Sequence, residues 1–309
     1  MSQFFKNIIG HRRQLEQLQE DLEQDRLAHA YLLSGPADLG KFTIARNFAK
    51  AVQTFPLPED RGFQVSALID RGIHADTIFY SLSGEEENIK IAEVRALLNN
   101  LQMTGDSWKR ILVIENIENL VPEAANAMLK MVEEPPDKVL FIFTSSNPKA
   151  ILETILSRVR RIDFQLMPSE DLFQALKNRY RLVGEEKIRR VAELALGRVA
   201  KAIKLLEADE QLKAYEDVYV QIKDFLEKRD IAAAFNFVSQ IHGDPILIQI
   251  FLEIASIVLR NELKEAFQQR GELDIIRASE RLDRLFEVKA RSETNANTRL
   301  SLENFILSL

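Results

Sequence analysis

Residues 32–42 read Leu32-Leu33-Ser34-Gly35-Pro36-Ala37-Asp38-Leu39-Gly40-Lys41-Phe42. Gly35, Gly40 and Lys41 have the spacing of a phosphate-binding loop, which runs G-x-x-x-x-G-K and then Ser or Thr. Phe42 stands where that hydroxyl would bind Mg²⁺, and Thr43 lies about 100° further round the helix, so it points elsewhere. Asp38 adds a carboxylate to a loop whose N–H groups would otherwise bind phosphate. The stretch predicts a nucleotide-binding type of fold in which the chemistry of the loop is lost.

The composition fits a globular protein of two or three domains. The chain has 309 residues, of which 46% are hydrophobic and 28% charged. It has no cysteine, and its four histidines lack the spacing of metal ligands, so no disulfide and no metal site are expected. It has no apolar run of 18 residues and no signal-peptide pattern, so a cytoplasmic protein without a membrane span is expected. A net charge of -6 disfavours binding of DNA by overall electrostatics, although a local basic patch stays open.

Strand-like and helix-like segments alternate in the first half of the chain. Apolar runs stand at residues 30–33, 77–82, 110–114 and 139–144. Helical patterns stand between them, at residues 42–52, 91–103 and 122–132. Continuous apolar strands separated by helices predict an α/β fold with a parallel sheet that carries helices on both faces.

The second half of the chain is helical throughout. Helical periodicity continues from Ser169 onward, and strand signals are absent from there. We expect a nucleotide-binding-type domain over residues 1–166, a small helical lid over 167–210 and an all-helical domain over 211–309. Within the last domain, residues 246–260 are so apolar that one helical domain is not expected to bury them all.

Three further segments resemble the AAA+ ATPase family, and within it the bacterial clamp-loader subunits. Ile8-Ile9-Gly10-His11, followed by Leu27-Ala28-His29-Ala30-Tyr31, is similar to the first segment of those subunits. Residues 124–136, Ala-Ala-Asn-Ala-Met-Leu-Lys-Met-Val-Glu-Glu-Pro-Pro, resemble their A-A-N-A-L-L-K-x-L-E-E-P-P signature. Ser157-Arg158-Val159 resembles their S-R-C motif, with Val in place of Cys. These matches follow the family's order over residues 8–205.

The chain departs from the ATP-hydrolysing members of that family at several positions. Asn116 follows Glu115 where the family has an Asp-Glu pair, whose second acid activates the attacking water. Ala200 stands at the position of the sensor-2 arginine, and the stretch 51–75 lacks the four cysteines of a zinc module. The resemblance therefore implies a subunit that does not hydrolyse ATP itself within a DNA polymerase holoenzyme. Gly35, Gly40 and Lys41 would form a degenerate and empty loop, and no cofactor is expected because partner subunits would bind the ATP.

Arg158 is the exception, because its family role needs no nucleotide in the same chain. The resemblance implies an arginine finger, a planar and always charged donor that reaches the ATP site of a neighbouring subunit. It also implies a five-subunit ring with motor (gamma/tau) and delta subunits, closed by an oligomerising C-terminal collar, and contacts to the sliding clamp and primed DNA through the complex. Two alternatives stay open: an active ATPase subunit with unusual loop chemistry, and an AAA+-derived interaction protein outside replication.

Overall fold

The structure, a computed structural model, describes residues 3–82, 88–102, 107–228, 231–269, 272–292 and 298–307. The chain divides into two compact units, one of residues 1–182 with 197–201 and the other of residues 183–196 with 202–309. Among the described residues, no helix combines the length and the apolar character that crossing a membrane requires.

The first unit is built on a five-stranded parallel sheet of order β2-β3-β4-β1-β5. Its strands are β1 Ala30–Ser34, β2 Thr77–Tyr80, β3 Arg110–Ile114, β4 Val139–Ser145 and β5 Arg160–Asp163. Its helices are α1 Arg12–Glu23, α2 Lys41–Thr54, α3 Glu59–Asp70, α4 Ile91–Gln102, α5 Pro122–Glu133, α6 Glu153–Leu156 and α7 Ser169–Arg179, with short 3-10 helices at Ile117–Asn119 and Pro148–Ala150. This architecture confirms the α/β fold class with helices on both faces of the sheet.

Each face of the sheet has its own core, because neighbouring residues of a strand point to opposite faces. Tyr31 and Leu33 of β1 pack on one face with α1 and α2, whereas Leu32 packs on the other with α4, α5 and α6. Strand β4 is buried along its whole length, which explains its continuous apolar sequence. This double covering holds the ends of the strands, and therefore the loops that follow them, in fixed positions.

The second unit consists of helices, and no strand occurs in the part of the chain described after β5. Its helices are α8 Glu185–Ala195, α9 Val199–Glu207 (residues 199–201 of which belong to the first unit), α10 Asp209–Lys228, α11 Ile231–Ile241, α12 Pro245–Gln269, α13 Glu272–Ser292 and α14 Thr298–Ile306. Helix α12 packs against α10 and α13, and α14 packs against α11 and α13.

The expectation that residues 246–260 keep a large apolar surface uncovered is wrong. Ile250, Phe251, Ile254, Ile257 and Val258 are all buried within the second unit itself. Neighbouring helices surround α12, so its apolar side chains form the core of this unit. The large apolar side chains that do stay exposed in this unit are scattered over several helices, and they include Val220, Ile246, Phe267, Ile276 and Phe286.

Candidate functional site

The loop between β1 and α2 has the backbone conformation that its glycines permit. Gly35 has φ 147°, Asp38 φ 59° and Gly40 φ 87°, and α2 begins directly after Gly40. Gly35 also lies close to neighbouring backbone, since a Cβ there would stand 2.3 Å from the carbonyl oxygen of Phe164. The sequence motif thus corresponds to a real strand-loop-helix turn at the carboxyl-terminal edge of the sheet.

The side chain of Lys41 folds back into this loop. Its Nζ donates hydrogen bonds to the carbonyl oxygens of Gly35 at 2.7 Å and Pro36 at 2.6 Å, and to Oγ of Ser146 at 3.2 Å. These three acceptors match the three donors of an ammonium group. Before Lys41 binds a phosphate, its ammonium must therefore exchange at least one of these acceptors.

Burial also changes the charge state of this lysine. Loss of solvent lowers the pKa of Lys41 to about 8, and the nearby carboxylates of Glu118, Asp38 and Glu115 oppose that fall. Lys41 is only 5% exposed, so the desolvation of the ammonium is the dominant effect. The lysine is surrounded by acceptors and carboxylates of its own chain, which is an environment hostile to an anionic ligand.

Phe42 and Thr43 show why the loop lacks a ligand for Mg²⁺. The Phe42 ring packs with the core of the first unit and meets the Phe79 ring edge-to-face, with 6.3 Å between the ring centroids. Thr43, which has the hydroxyl, is exposed. The residue at the metal-ligand position therefore packs against the apolar core and offers no oxygen.

The ends of β3 and β4 meet beside the loop, as expected for neighbouring parallel strands. Asn116, which replaces the water-activating acid, has φ 51°, and its N–H donates to Oγ1 of the buried Thr144 at 3.0 Å. Glu118 Oε1 accepts from the N–H groups of Ser146 at 2.7 Å and Asn147 at 3.2 Å. No sequence motif marks a glutamate at position 118, yet of the three nearby carboxylates Glu118 opposes the fall in the pKa of Lys41 most strongly.

The beginning of α9 closes the other side of the loop within the first unit. The N–H groups of Ala200 and Lys201 donate to the carbonyl oxygen of Asp38 at 2.9 and 3.3 Å. A Cβ on Gly40 would stand 3.8 Å from Cβ of Ala200. The position where the resemblance implies a phosphate-binding arginine thus holds an alanine, which offers the loop only its main-chain N–H.

Arg158 lies just before β5 and is partly exposed. Its Nη1 donates to the carbonyl oxygen of Thr154 and to Oγ of Ser157, both at 3.0 Å. Its Nη2 lies 3.0 Å from Oε1 of Glu133, and the two side chains are 40% and 39% exposed. The guanidinium is thus held at three points while a large part of it still faces solvent.

The two arginines that follow serve the fold of the first unit. Arg160 pairs at 2.7 Å with the buried Asp21, whose other oxygen accepts from the hydroxyl of Tyr31. Arg161 pairs at 2.7 Å with Asp163 and donates to Oγ of Ser34 at 3.0 Å. The Arg160 pair includes a buried carboxylate, whereas the Arg161 pair is at least as exposed as the pair of Arg158 and is tied to the fold by the buried Ser34.

Arg158 lies at the amino-terminal ends of the strands, whereas the loop lies at their carboxyl-terminal ends. In the parallel pairing of β1 with β5, Tyr31 stands beside Arg160 and Ser34 beside Asp163. Arg158 lies in the turn before this pairing, whereas Gly35 follows it, and the four residue steps from Tyr31 to Gly35 alone span about 13 Å along the strand. The structure brings Gly35, Gly40 and Lys41 together and keeps Arg158 out of their reach.

The chain is similar in sequence to subunits of DNA polymerase III. The family model described as "DNA polymerase III, delta subunit" matches residues 10–168. DNA polymerase III subunit delta' of Bacillus subtilis is 28% identical over 322 aligned positions, which cover 96% of this chain and 95% of that one. DNA polymerase III subunit gamma of Buchnera aphidicola subsp. Schizaphis graminum is 30% identical over 216 residues, 66% of this chain but only 58% of that relative's length. A gamma subunit-related protein from Thermotoga maritima has a solved structure with a TM-score of 0.48, 20% identity and coverage of 95% and 97%.

Proposed function

Because the chain belongs to the DNA polymerase III delta subunit family, we propose that it is the non-hydrolysing delta-prime subunit of a clamp loader. Clamp-loader subunits of DNA polymerase III are its relatives, and the delta' relative from Bacillus subtilis matches it over nearly its whole length. The gamma relatives match over 58% of their own length, so their activity is not carried over with the similarity.

The state of the loop is the observation that carries this proposal. A hydrolytic site needs an oxygen ligand for Mg²⁺ and a group that orients the attacking water. Here the first position holds Phe42, which packs against Phe79, and the second holds Asn116. Lys41 is bound by the carbonyl oxygens of its own loop. We infer that the chain needs no ATP of its own and that the ATP is bound by partner subunits.

In this proposal the subunit is a fixed member of a five-subunit ring in the cytoplasm. Its partners are the motor (gamma/tau) and delta subunits, and through the complex it acts on the sliding clamp and primed DNA. The proposal keeps a nucleotide-binding-type domain over residues 1–166, a lid over 167–210 and a C-terminal collar over 211–309. We assign assembly in the collar to the helical unit, in which scattered apolar side chains such as Ile246 and Phe267 stay exposed.

Arg158 supplies the catalytic contribution of the subunit, as an arginine finger in the ATP site of an adjacent motor subunit. Its place at the amino-terminal edge of the sheet supports this role, because it is out of reach of the loop in its own chain. Its partial exposure supports the role as well, since a finger must be accessible to a neighbour. Arg160 and Arg161 are poorer candidates because each contacts a buried residue of its own chain, Asp21 for Arg160 and Ser34 for Arg161.

The experiment is ATP hydrolysis by the full chain, alone and assembled with its cognate motor and delta subunits. The isolated chain is expected to show no turnover. In the assembled complex, Arg158→Ala should slow clamp- and DNA-stimulated hydrolysis while assembly is unchanged. A finger contributes about 10³–10⁵ at its own site, and the loss for the whole complex should be smaller because other motor sites keep their own fingers.

Two variants sharpen the result. Arg158→Lys should restore little activity, since an ammonium cannot reproduce the planar fork of a guanidinium. Arg161→Ala should slow hydrolysis less than Arg158→Ala does. Normal hydrolysis and normal clamp loading by Arg158→Ala complexes would refute the finger.

An active motor subunit is the second candidate, favoured by the 30% identity to gamma subunits over two thirds of the chain. The same assay separates the two proposals, because turnover by the isolated chain that Lys41→Ala abolishes would establish a motor. A third reading, an interaction protein outside replication, predicts that proteins other than clamp-loader subunits co-purify with the full chain.

A further inference from the structure

Three contacts from its own chain fix the guanidinium of Arg158. Nη1 donates to Thr154 and Ser157, which lie within one helical turn before Arg158. Because these partners are local, they would move together with Arg158 and would not fix the guanidinium relative to the rest of the first unit. The third contact is different, because Glu133 comes from the end of α5, 25 residues away in sequence. Glu133 therefore ties the orientation of the guanidinium to the core-packed helix α5.

The position of Glu133 in its helix is otherwise unfavourable. It is the last residue of α5, where the carbonyl groups give the helix end a negative partial charge. A carboxylate is disfavoured at this helix end and a cation is favoured. The guanidinium of Arg158 places a positive charge next to both the Glu133 carboxylate and the end of α5. Glu134, the next residue, is also an exposed glutamate but has no ion pair with Arg158. Of the two neighbouring acids, only Glu133 meets the guanidinium.

The contacts leave donors of Arg158 available to a ligand. A guanidinium has five N–H donors, and those of Nη1 are used by Thr154 and Ser157. Among the described residues, Nε of Arg158 has no hydrogen-bond partner. With 40% of the side chain exposed, a phosphate from outside can approach while the pair with Glu133 stays intact.

We propose that Glu133 is the positioning residue of Arg158, which holds the guanidinium in one orientation before the ATP of a neighbouring subunit arrives. This inference rests on the finger role proposed above. A long arginine side chain loses rotamer freedom when it binds, and a partner in its own chain removes much of that freedom in advance. The carboxylate acts through Arg158 and does not touch the nucleotide.

The test uses the full chain assembled with its cognate motor and delta subunits. Glu133→Gln removes the charge and keeps the size of the side chain. We expect clamp- and DNA-stimulated ATP hydrolysis at the site that Arg158 faces to fall about two- to fivefold, the range of a partly exposed ion pair. The fall in kcat of the whole complex should be smaller, and no greater than the fall that Arg158→Ala causes. KM for ATP should stay within about twofold, because the contact matters most in the transition state. Glu134→Gln, the matched control, should leave both constants unchanged.

The double variant Glu133→Gln with Arg158→Ala distinguishes positioning from a structural role. If Glu133 acts through Arg158, the double variant should hydrolyse ATP at the rate of Arg158→Ala alone. A further fall in the double variant would mean that Glu133 supports the fold of α5, and a faster Glu133→Gln complex would mean that it restrains the arginine. Either result overturns the inference.

The two proposals fail in different ways. A normal rate for Arg158→Ala removes the finger, and the positioning role falls with it. A slow Arg158→Ala complex together with a normal Glu133→Gln complex keeps the finger and rejects only the role of Glu133.

Discussion

Replacing Phe42 with threonine puts a hydroxyl back at the Mg²⁺ position, and we expect it to weaken the fold without creating an ATPase. Phe42 is half-buried, and full burial of a phenylalanine contributes about 1.5–3 kcal/mol, so its share is about 1–1.5 kcal/mol. The edge-to-face contact with Phe79 adds about 0.5–1.5 kcal/mol. Phe42→Thr should therefore lower the free energy of unfolding by about 1.5–3 kcal/mol.

Urea unfolding followed by tryptophan fluorescence reports on the first unit, which contains Phe42. The chain has one tryptophan, Trp108, whose Nε1 donates to the carbonyl oxygen of Val52 at 2.8 Å within the first unit. Thr43→Ala is the matched control, and because Thr43 is exposed it should change stability by less than about 0.5 kcal/mol. With Mg²⁺ and ATP, Phe42→Thr should show no turnover, because Asn116 cannot take the role of the missing acid.

Two outcomes would contradict this reasoning. Unchanged stability of Phe42→Thr would show that the ring does not contribute to the core. Turnover gained by this single change would show that the rest of the hydrolytic site is intact, and the proposed loss of chemistry would then be wrong.

Two other features of the loop give predictions for the same fluorescence assay. The pKa of Lys41 lies at about 8 in the folded chain and near 10.5 when unfolded, so the unfolded state binds more protons between these values and stability should rise with pH there. From pH 8 to 9 the chain should gain about 1 kcal/mol relative to Lys41→Met, and an equal pH response of both proteins would contradict the lowered pKa. Gly35→Ala should cost more than about 3 kcal/mol or prevent folding, because its Cβ would stand 2.3 Å from a carbonyl oxygen of Phe164. Gly72→Ala, at φ 71° with no atom within 4 Å, should cost only about 1–2 kcal/mol, and equal losses at the two glycines would refute the steric cause.

The sequence predicted the parts of the fold that repeat a simple pattern. Four strands are continuous apolar runs because both faces of the sheet are covered, and the helices between them carry apolar stripes. Strand β5 was not predicted, because it is a four-residue edge strand in which only Ile162 is buried. Helix α3 was not predicted either, since only Gly62 and Ile69 of its twelve residues are buried and it has no apolar stripe.

The sequence identified the residues of the candidate site, but it did not show which other residues they contact. The spacing of Gly35, Gly40 and Lys41 identified the loop, and the structure places them together. The acceptors of the Lys41 ammonium come from the loop backbone and from Ser146, 105 residues away, so no local pattern reports them. The pair of Glu133 with Arg158 likewise joins two motifs that the sequence shows only as separate stretches.

The roles of the motif residues follow from asking which of them the fold itself requires. Gly35 is required by the nearby Phe164 backbone whether or not a nucleotide binds, and the main-chain N–H of Ala200 binds the carbonyl oxygen of Asp38, so the fold itself uses the loop. Arg158 and Glu133 are different, since both are exposed and an exposed ion pair contributes only about 0–1 kcal/mol to stability. A guanidinium fixed at three points, yet of little value to its own core, is consistent with the proposed use of Arg158 by a neighbouring subunit. In the proposed function, the loop serves the fold of the chain itself, whereas Arg158 serves the adjacent subunit.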